Sequence, residues 1–312
     1  MGRIYVIGGS NIDICGTSNE PLRSFDSNPG EVTIQYGGVG RNIAQILALL
    51  KEEPVFISVF SSDSYGTLMK KDCEELGMDT SFSIVTDAHP SSMYIAILDN
   101  NHDMRVAMSD MRNLRVMKPT HLEKAMAKMK KDDMIILDAN LDMECIHYIL
   151  EHAPCACAAD PVSASKCMRL KESLKYLTFF KPNRFEAERL SGIEIKDESS
   201  AAKCLSWFLD QGVKEIVISM AESGVLAAYE DQKIWFTHRQ ILLDNATGGG
   251  DAFTGAYVSA RVHGSAFEEA VRYAISAAVT TIEHDAFRRR ELNHEMVLSV
   301  AENMNIKELK LC

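Results

Sequence analysis

Apolar residues come along this chain in short runs that end on small or polar residues: RIYVIGG (3–9), PVFISVF (54–60), DMIILDA (133–139), CACAAD (155–160) and EIVISM (215–220). Helix-length amphipathic stretches separate them, among them NIAQILALL (42–50) and HLEKAMAKMKK (121–131). This alternation predicts the α/β class, with a doubly wound, mostly parallel sheet covered by helices. In such sheets a ligand lies beyond the carboxyl ends of the strands, so the residues just after each run become the candidates for chemistry.

Two segments break the alternation. Residues 14–36 carry SNEPLRSFDSNPG ahead of VTIQY, and residues 81–108 include SSMYIAILDNNHDMRVAM, where DNNHD reads as a turn between two strand-like arms. Both read as hairpin material, and together they are expected to form a small β-sheet lid, about 14–36 and 81–110, on a single domain spanning 1–312. No internal repeat, low-complexity tract or long linker interrupts the chain, and the short KK and RRR runs read as solvated surface.

Composition narrows the function. With 312 residues, 46% of them apolar, the chain can bury a large core. A formal charge of −11 argues against a nucleic-acid partner, because phosphate backbones are bound by clustered Lys and Arg. No leader-like start and no apolar run of membrane-spanning length occur, so no membrane partner and a cytoplasmic location are expected. The eight cysteines are scattered and read as reduced, mostly buried thiols. HEMVL (294–298) lacks the second histidine of a zinc-protease motif.

The stretch NATGGGDAFTGAY (245–257) places three glycines and an aspartate at a predicted helix start. Unpaired N–H groups and the positive end of the helix dipole make Thr247, Gly248, Gly249 and Gly250 a candidate phosphate cradle. Asp251 would repel a phosphate there unless it takes a proton from the hydroxyl that attacks the phosphorus. The plainer reading is an ordinary Gly-rich turn with Asp251 on the helix dipole, and spacing alone does not choose between the two. Neither a P-loop nor a G-x-G-x-x-G fingerprint is present.

Read together with GGVGRN (37–42) and KPNRFEAE (181–188), that stretch resembles the ribokinase-like, PfkB-type family of sugar and nucleoside kinases, in motif order and across nearly the whole chain. Within the family, DSNPG (26–30), GGVGRNIAQ (37–45), DPVSASKC (160–167) and KPNRFEAERLSG (181–192) are most similar to the pseudouridine-kinase branch. The resemblance implies phosphorylation of a nucleoside 5′-hydroxyl, with ATP and Mg2+, and a lid that closes on the nucleoside and pairs with a second lid in a homodimer. Another ribose-bearing substrate (ribose, uridine or adenosine) and a catalytically weak nucleoside-binding regulator stay open beside it.

By the resemblance, Asp251 is the general base, and Gly248, Gly249 and Gly250 form the anion hole. Asn183 and Glu186 order Mg2+ and the ATP phosphates, partly through water; the same pair also reads as an N-cap with its capping box. Asn11 and Asp13 follow the first strand, and Asp13 is implied to grip the ribose hydroxyls with Gly38 and Asn42; alone it reads as a solvated strand-ending turn. Asn140, Asp160 and Lys166 are expected at the substrate, although a lone lysine near a helix start is as readily solvated surface. Ser219, Gly224, Thr247 and Ala278 are expected around ATP, although helix packing explains Ala277 and Ala278 equally well.

The sequence also departs from the family pattern. Asn245 replaces the usual aspartate in a region tied to monovalent-cation activation, which leaves potassium dependence open. Gly249 replaces the usual alanine and is expected to loosen the loop. Ala221 stands where glycine is common.

Overall fold

The computed structural model describes residues 2–238, 248–283 and 288–311. Strands Val55–Ile57, Ile4–Ile7, Met134–Asp138, Ala156–Asp160, Phe179–Phe180 and Glu215–Ser219 lie side by side in that order, all parallel. Val225–Tyr229, Gln232–Thr237 and Lys307–Lys310 continue the sheet in antiparallel fashion. The fold is therefore the doubly wound, mostly parallel α/β sheet that the alternation predicts.

Both faces are buried because successive side chains point to opposite sides of a strand. Ile4, Val6, Met134 and Ile136 join one core, with Ile43, Leu47, Phe253 and Val271 from the helices Val39–Leu49, Gly249–Val262 and Phe267–Ile282. Tyr5, Ile7, Ile135 and Leu137 join the other, with Leu122, Ile149, Leu190 and Leu205 from helices on the opposite face. The run PVFISVF, read as one strand, is split: Val55–Ile57 stays in the main sheet, and Val59–Ser61 pairs with Ile84–Thr86. Ser58 marks the break, its hydroxyl donating to the Gly8 carbonyl and its N–H to Ser83 Oγ. The helix expected over 121–131 runs Pro119–Met126 and then tightens, with Lys128 N–H donating to the Ala125 carbonyl.

A second sheet has the order Gly30–Gly37, Asn11–Ser18, Met93–Leu98, Met104–Asp110. It starts and ends outside the 14–36 segment, and residues 84–86 belong to the pairing with Val59–Ser61 instead. The DNNHD turn closes on Asp99, whose carboxylate accepts from the N–H groups of Asn101 and Asp103 and pairs with Arg105. In register, Ile34, Ile14, Ile95 and Met108 share one face of this sheet, while Asp13, Gln35, Tyr94 and Ser109 share the other. Arg290, in the RRR run read as solvated surface, binds Asp72 at 2.6 Å, and the same carboxylate holds the buried Arg41.

Among the described residues the seven cysteines are free, and no helix is long and apolar enough to cross a membrane.

Candidate active site

The carboxyl ends of Ile4–Ile7, Met134–Asp138, Ala156–Asp160 and Glu215–Ser219 point to one edge of the sheet, where the start of the helix Gly249–Val262 meets them. Gly248 caps that helix with φ 86°, a left-handed conformation that glycine adopts without steric cost, and its carbonyl accepts from Ala252 N–H. Gly250 is exposed, and the N–H groups of the first turn, which have no acceptor within the helix itself, lie at this edge. Gly249 is closely packed rather than loose: a Cβ there would come within 2.9 Å of Ile282 Cγ2. Thr247 and Asn245 lie outside the described residues.

Asp251, in the first turn, accepts a hydrogen bond from Asn42 Nδ2 at 2.8 Å. Withdrawal from water and the neighbouring Asp160 push its carboxyl up to about 8, while Asn42 and Lys181 act in the opposite direction. A carboxyl poised in that range can exchange a proton near neutral pH.

Asn11 donates to Asp13, and the Asp13 carboxylate lies against Gly37, where a Cβ would fall 2.0 Å from Oδ2. Burial raises the Asp13 carboxyl above its ordinary range. Gly38 caps the helix Val39–Leu49 and accepts from Asn42 N–H, so the two-glycine motif sets the direction of Asn42.

Asp138, absent from the residues singled out in the sequence, lies at the centre of this edge. Fully buried, it accepts from Gly9 N–H (2.9 Å), Gly40 N–H (2.7 Å), Asn140 N–H (2.9 Å) and Asn140 Nδ2 (3.1 Å). It also explains the glycines around it. A Cβ on Gly8 would meet Asp138 Oδ2 at 2.6 Å, and one on Gly40 would meet Gly8 Cα at 2.8 Å. Its signal in the sequence is the aspartate ending IILD, two residues before Asn140.

Both polar atoms of Asn140 are engaged, since Oδ1 accepts from Lys166 Nζ at 2.6 Å. Lys166 is thus a half-buried partner of Asn140 rather than a solvated surface lysine, and burial lowers its pKa. Arg169, also unforeseen, donates to the carbonyls of Ala139, Asn140 and Leu141 and fixes that loop.

Asp160 Oδ1 accepts from Val162 N–H, and Oδ2 lies 3.4 Å from Lys181 Nζ. Asn183 and Glu186 form the reciprocal capping box: Asn183 Oδ1 accepts from Glu186 N–H at 3.0 Å, and Glu186 Oε2 from Asn183 N–H at 2.7 Å. Burial pushes the Glu186 carboxyl up to about 7; the Asn183 N–H and Lys181 oppose the shift and Asp160 adds to it. Ser219 bridges to Asn183 and donates its N–H to the Pro182 carbonyl, which brings the two segments together. Gly224 leads into Val225–Tyr229 with φ 96°, and the Ala278 carbonyl is 3.9 Å from a Cβ placed on Gly249.

Among the described residues no three His, Cys, Asp or Glu side chains form a metal cluster. The hard carboxylate of Glu186 suits Mg2+, which is commonly held by one or two carboxylates together with water and phosphate oxygens.

The model of pfkB family carbohydrate kinases matches residues 1–289. The chain belongs to the PfkB family. Escherichia coli pseudouridine kinase is 34% identical to it over 304 residues, 96% of either chain. The guanosine-inosine kinase of Exiguobacterium acetylicum is 26% identical over 90% of this chain and 95% of its own. The ribokinase of Thermotoga maritima superposes with a TM-score of 0.84 at 23% identity, covering 97% of this chain and all of that one, and shows the common fold. As a PfkB-family member, this protein is a kinase of the carbohydrate and nucleoside class, an ATP-dependent phosphotransferase.

Proposed function

We propose that this kinase phosphorylates the 5′-hydroxyl of pseudouridine, with Asp251 as general base and the N–H groups of Gly248–Gly250 as anion hole. The observation that carries the reading is Asp251 itself: held by Asn42 of the two-glycine motif, at the open start of a glycine-led helix, with its pKa raised into the working range. The likeness to pseudouridine kinase over 96% of both chains supports the choice of nucleoside. In this reading Asp251 takes the hydroxyl proton, the oxygen attacks the γ-phosphorus, and ADP leaves. The helix N–H donors stabilise charge on the equatorial oxygens. Asp13, Gly38 and Asn42 hold the ribose, and Asn140, Asp160 and Lys166 lie toward the substrate. Asn183, Glu186, Ser219, Gly224 and Ala278 lie toward ATP, and Glu186 would hold Mg2+, which would supply neutralisation of phosphate charge.

The sheet carrying Asp13 is a lid over the nucleoside, and its opposite face exposes Val32, Ile34, Val106 and Met108, which supports a homodimer through the lids. A cytoplasmic location fits the same reading.

The substrate is tested by ADP release from Mg-ATP with pseudouridine, uridine, adenosine, guanosine, inosine and ribose, each with and without potassium. Preference for pseudouridine is expected. A preference for uridine, adenosine or ribose would support another ribose-bearing acceptor, a preference for guanosine or inosine would favour the acceptors of the guanosine-inosine kinase relative, and no turnover with any acceptor would turn the assignment to a nucleoside-binding protein.

A further inference from the structure

Lys181 is a buried lysine at the point where three parts of the site meet. Its side chain is 6% exposed, and among the described residues its ammonium is within ion-pair distance of one carboxylate, Asp160, at 3.4 Å. That is longer than a well-made N–H···O hydrogen bond. A Cβ on Gly250 would lie 3.2 Å from Nζ, so the ammonium borders the first turn of the helix that begins at Gly249. Glu186 and Asp251 also act on it electrostatically.

Burial alone would strip a lysine of its charge. Here the Asp160 carboxylate 3.4 Å away supplies a counter-charge. The sheet does not need a charge at this position. Phe179–Phe180 is a two-residue strand of fully buried phenylalanines, and an apolar side chain would extend that packing at less desolvation cost. A cation held beside an anion hole, with a loosely made ion pair, is placed for an incoming anion.

We propose that Lys181 is a catalytic residue that contacts the transferring γ-phosphoryl group beside the helix N–H donors. The proposal rests on the phosphotransferase chemistry of the family and not on the identity of the acceptor. During transfer the acceptor hydroxyl gives its proton to Asp251, its oxygen bonds to the γ-phosphorus, and the bond to the β,γ-bridging oxygen breaks, its electron pair leaving on ADP. Lys181 keeps its proton throughout and balances charge on the equatorial oxygens.

The test compares ADP with AMP-PNP, which retains a γ-phosphoryl group, in the Lys181→Gln variant with Mg2+ present. Titration calorimetry reads each affinity and steady-state kinetics reads kcat. Loss of a donor to the transferring group is expected to lower kcat by about a hundredfold. AMP-PNP affinity falls with it, while ADP affinity stays close to that of the parent. A lysine that serves only as counter-ion to Asp160 would weaken both nucleotides equally or neither, and that result overturns the proposal. Should Lys181→Gln fail to fold, Lys181→Gln/Asp160→Asn removes both charges of the pair, and the same ADP and AMP-PNP comparison decides. If the parent binds both nucleotides but does not phosphorylate pseudouridine, the substrate assignment falls and Lys181 is still read by nucleotide binding. If the parent binds neither, the proposal falls together with the kinase reading.

Discussion

Asn42 Nδ2 donates to Asp251 Oδ2 over 2.8 Å, joining two motifs 209 positions apart in the chain. This bond stabilises the carboxylate, the form a general base needs, against the burial that raises its pKa to about 8. For the free enzyme, kcat/KM should therefore rise with pH and level off above about 8. Asn42→Ala removes the donor, so the rising limb should move to higher pH. Asp251→Asn should lower kcat by about a thousandfold while nucleoside binding persists. Turnover that survives Asp251→Asn would remove the general-base assignment.

The same shift carries a stability cost with a definite sign. A carboxyl whose folded pKa is raised from 3.8 to about 8 contributes fully below the unfolded value, and that contribution is lost as pH climbs through the folded value. The unfolding temperature of Asp251→Asn should thus gain on the parent between about pH 4 and pH 8, and hold its lead above that window. Parallel melting curves for the two proteins across that range would contradict a raised pKa.

Asp138 gathers four N–H donors from Gly9, Gly40 and Asn140. Asp138→Ala would leave them without an acceptor, at a cost of about 3 kcal/mol. The proposed acceptor-binding residues flank those donors, whereas Asn183 and Glu186 are held by their own capping box. The KM for the acceptor should therefore rise far more than the KM for ATP. Gly40→Ala forces a Cβ against Gly8 and Asp138 and should cost about 1–3 kcal/mol. Equal increases in both KM values would show that Asp138 supports the whole fold and not the acceptor side.

Ala221 adopts φ 50°, a left-handed conformation, in the short turn between Ser219 and Gly224. An alanine is strained there and a glycine is not, although glycine also gains freedom in the unfolded chain. Ala221→Gly should stabilise the protein by about 1 kcal/mol, read as a small rise in unfolding temperature. A lower unfolding temperature would show that the surrounding turn, and not this residue, sets the conformation.

Several site features were legible because their causes are local. The capping box of Asn183 and Glu186 follows from side chains three residues apart at a helix start. The left-handed Gly248 and the acidic first turn follow from the order of residues in GGGD. The hairpin turn at 99–103 follows from an aspartate able to bond its own downstream N–H groups. The break at Ser58 in PVFISVF has no local signal, because its partners, Gly8 and Ser83, are 50 and 25 residues away.

The sequence by itself determined the alternation of strands and helices, the two-faced core and the motifs that end on Asp251, since these depend on periodicity and nearest-neighbour chemistry. Only the tertiary structure decided what surrounds Asp251. In the sequence Asp138 is only the polar end of an apolar run, and Lys181 only the residue before a proline. Their roles come from groups far away in the chain: Gly9 and Gly40 for Asp138, and Asp160, Glu186, Gly250 and Asp251 for Lys181. A buried charge is defined by what the fold brings within a few ångströms of it, and no local pattern encodes that distance.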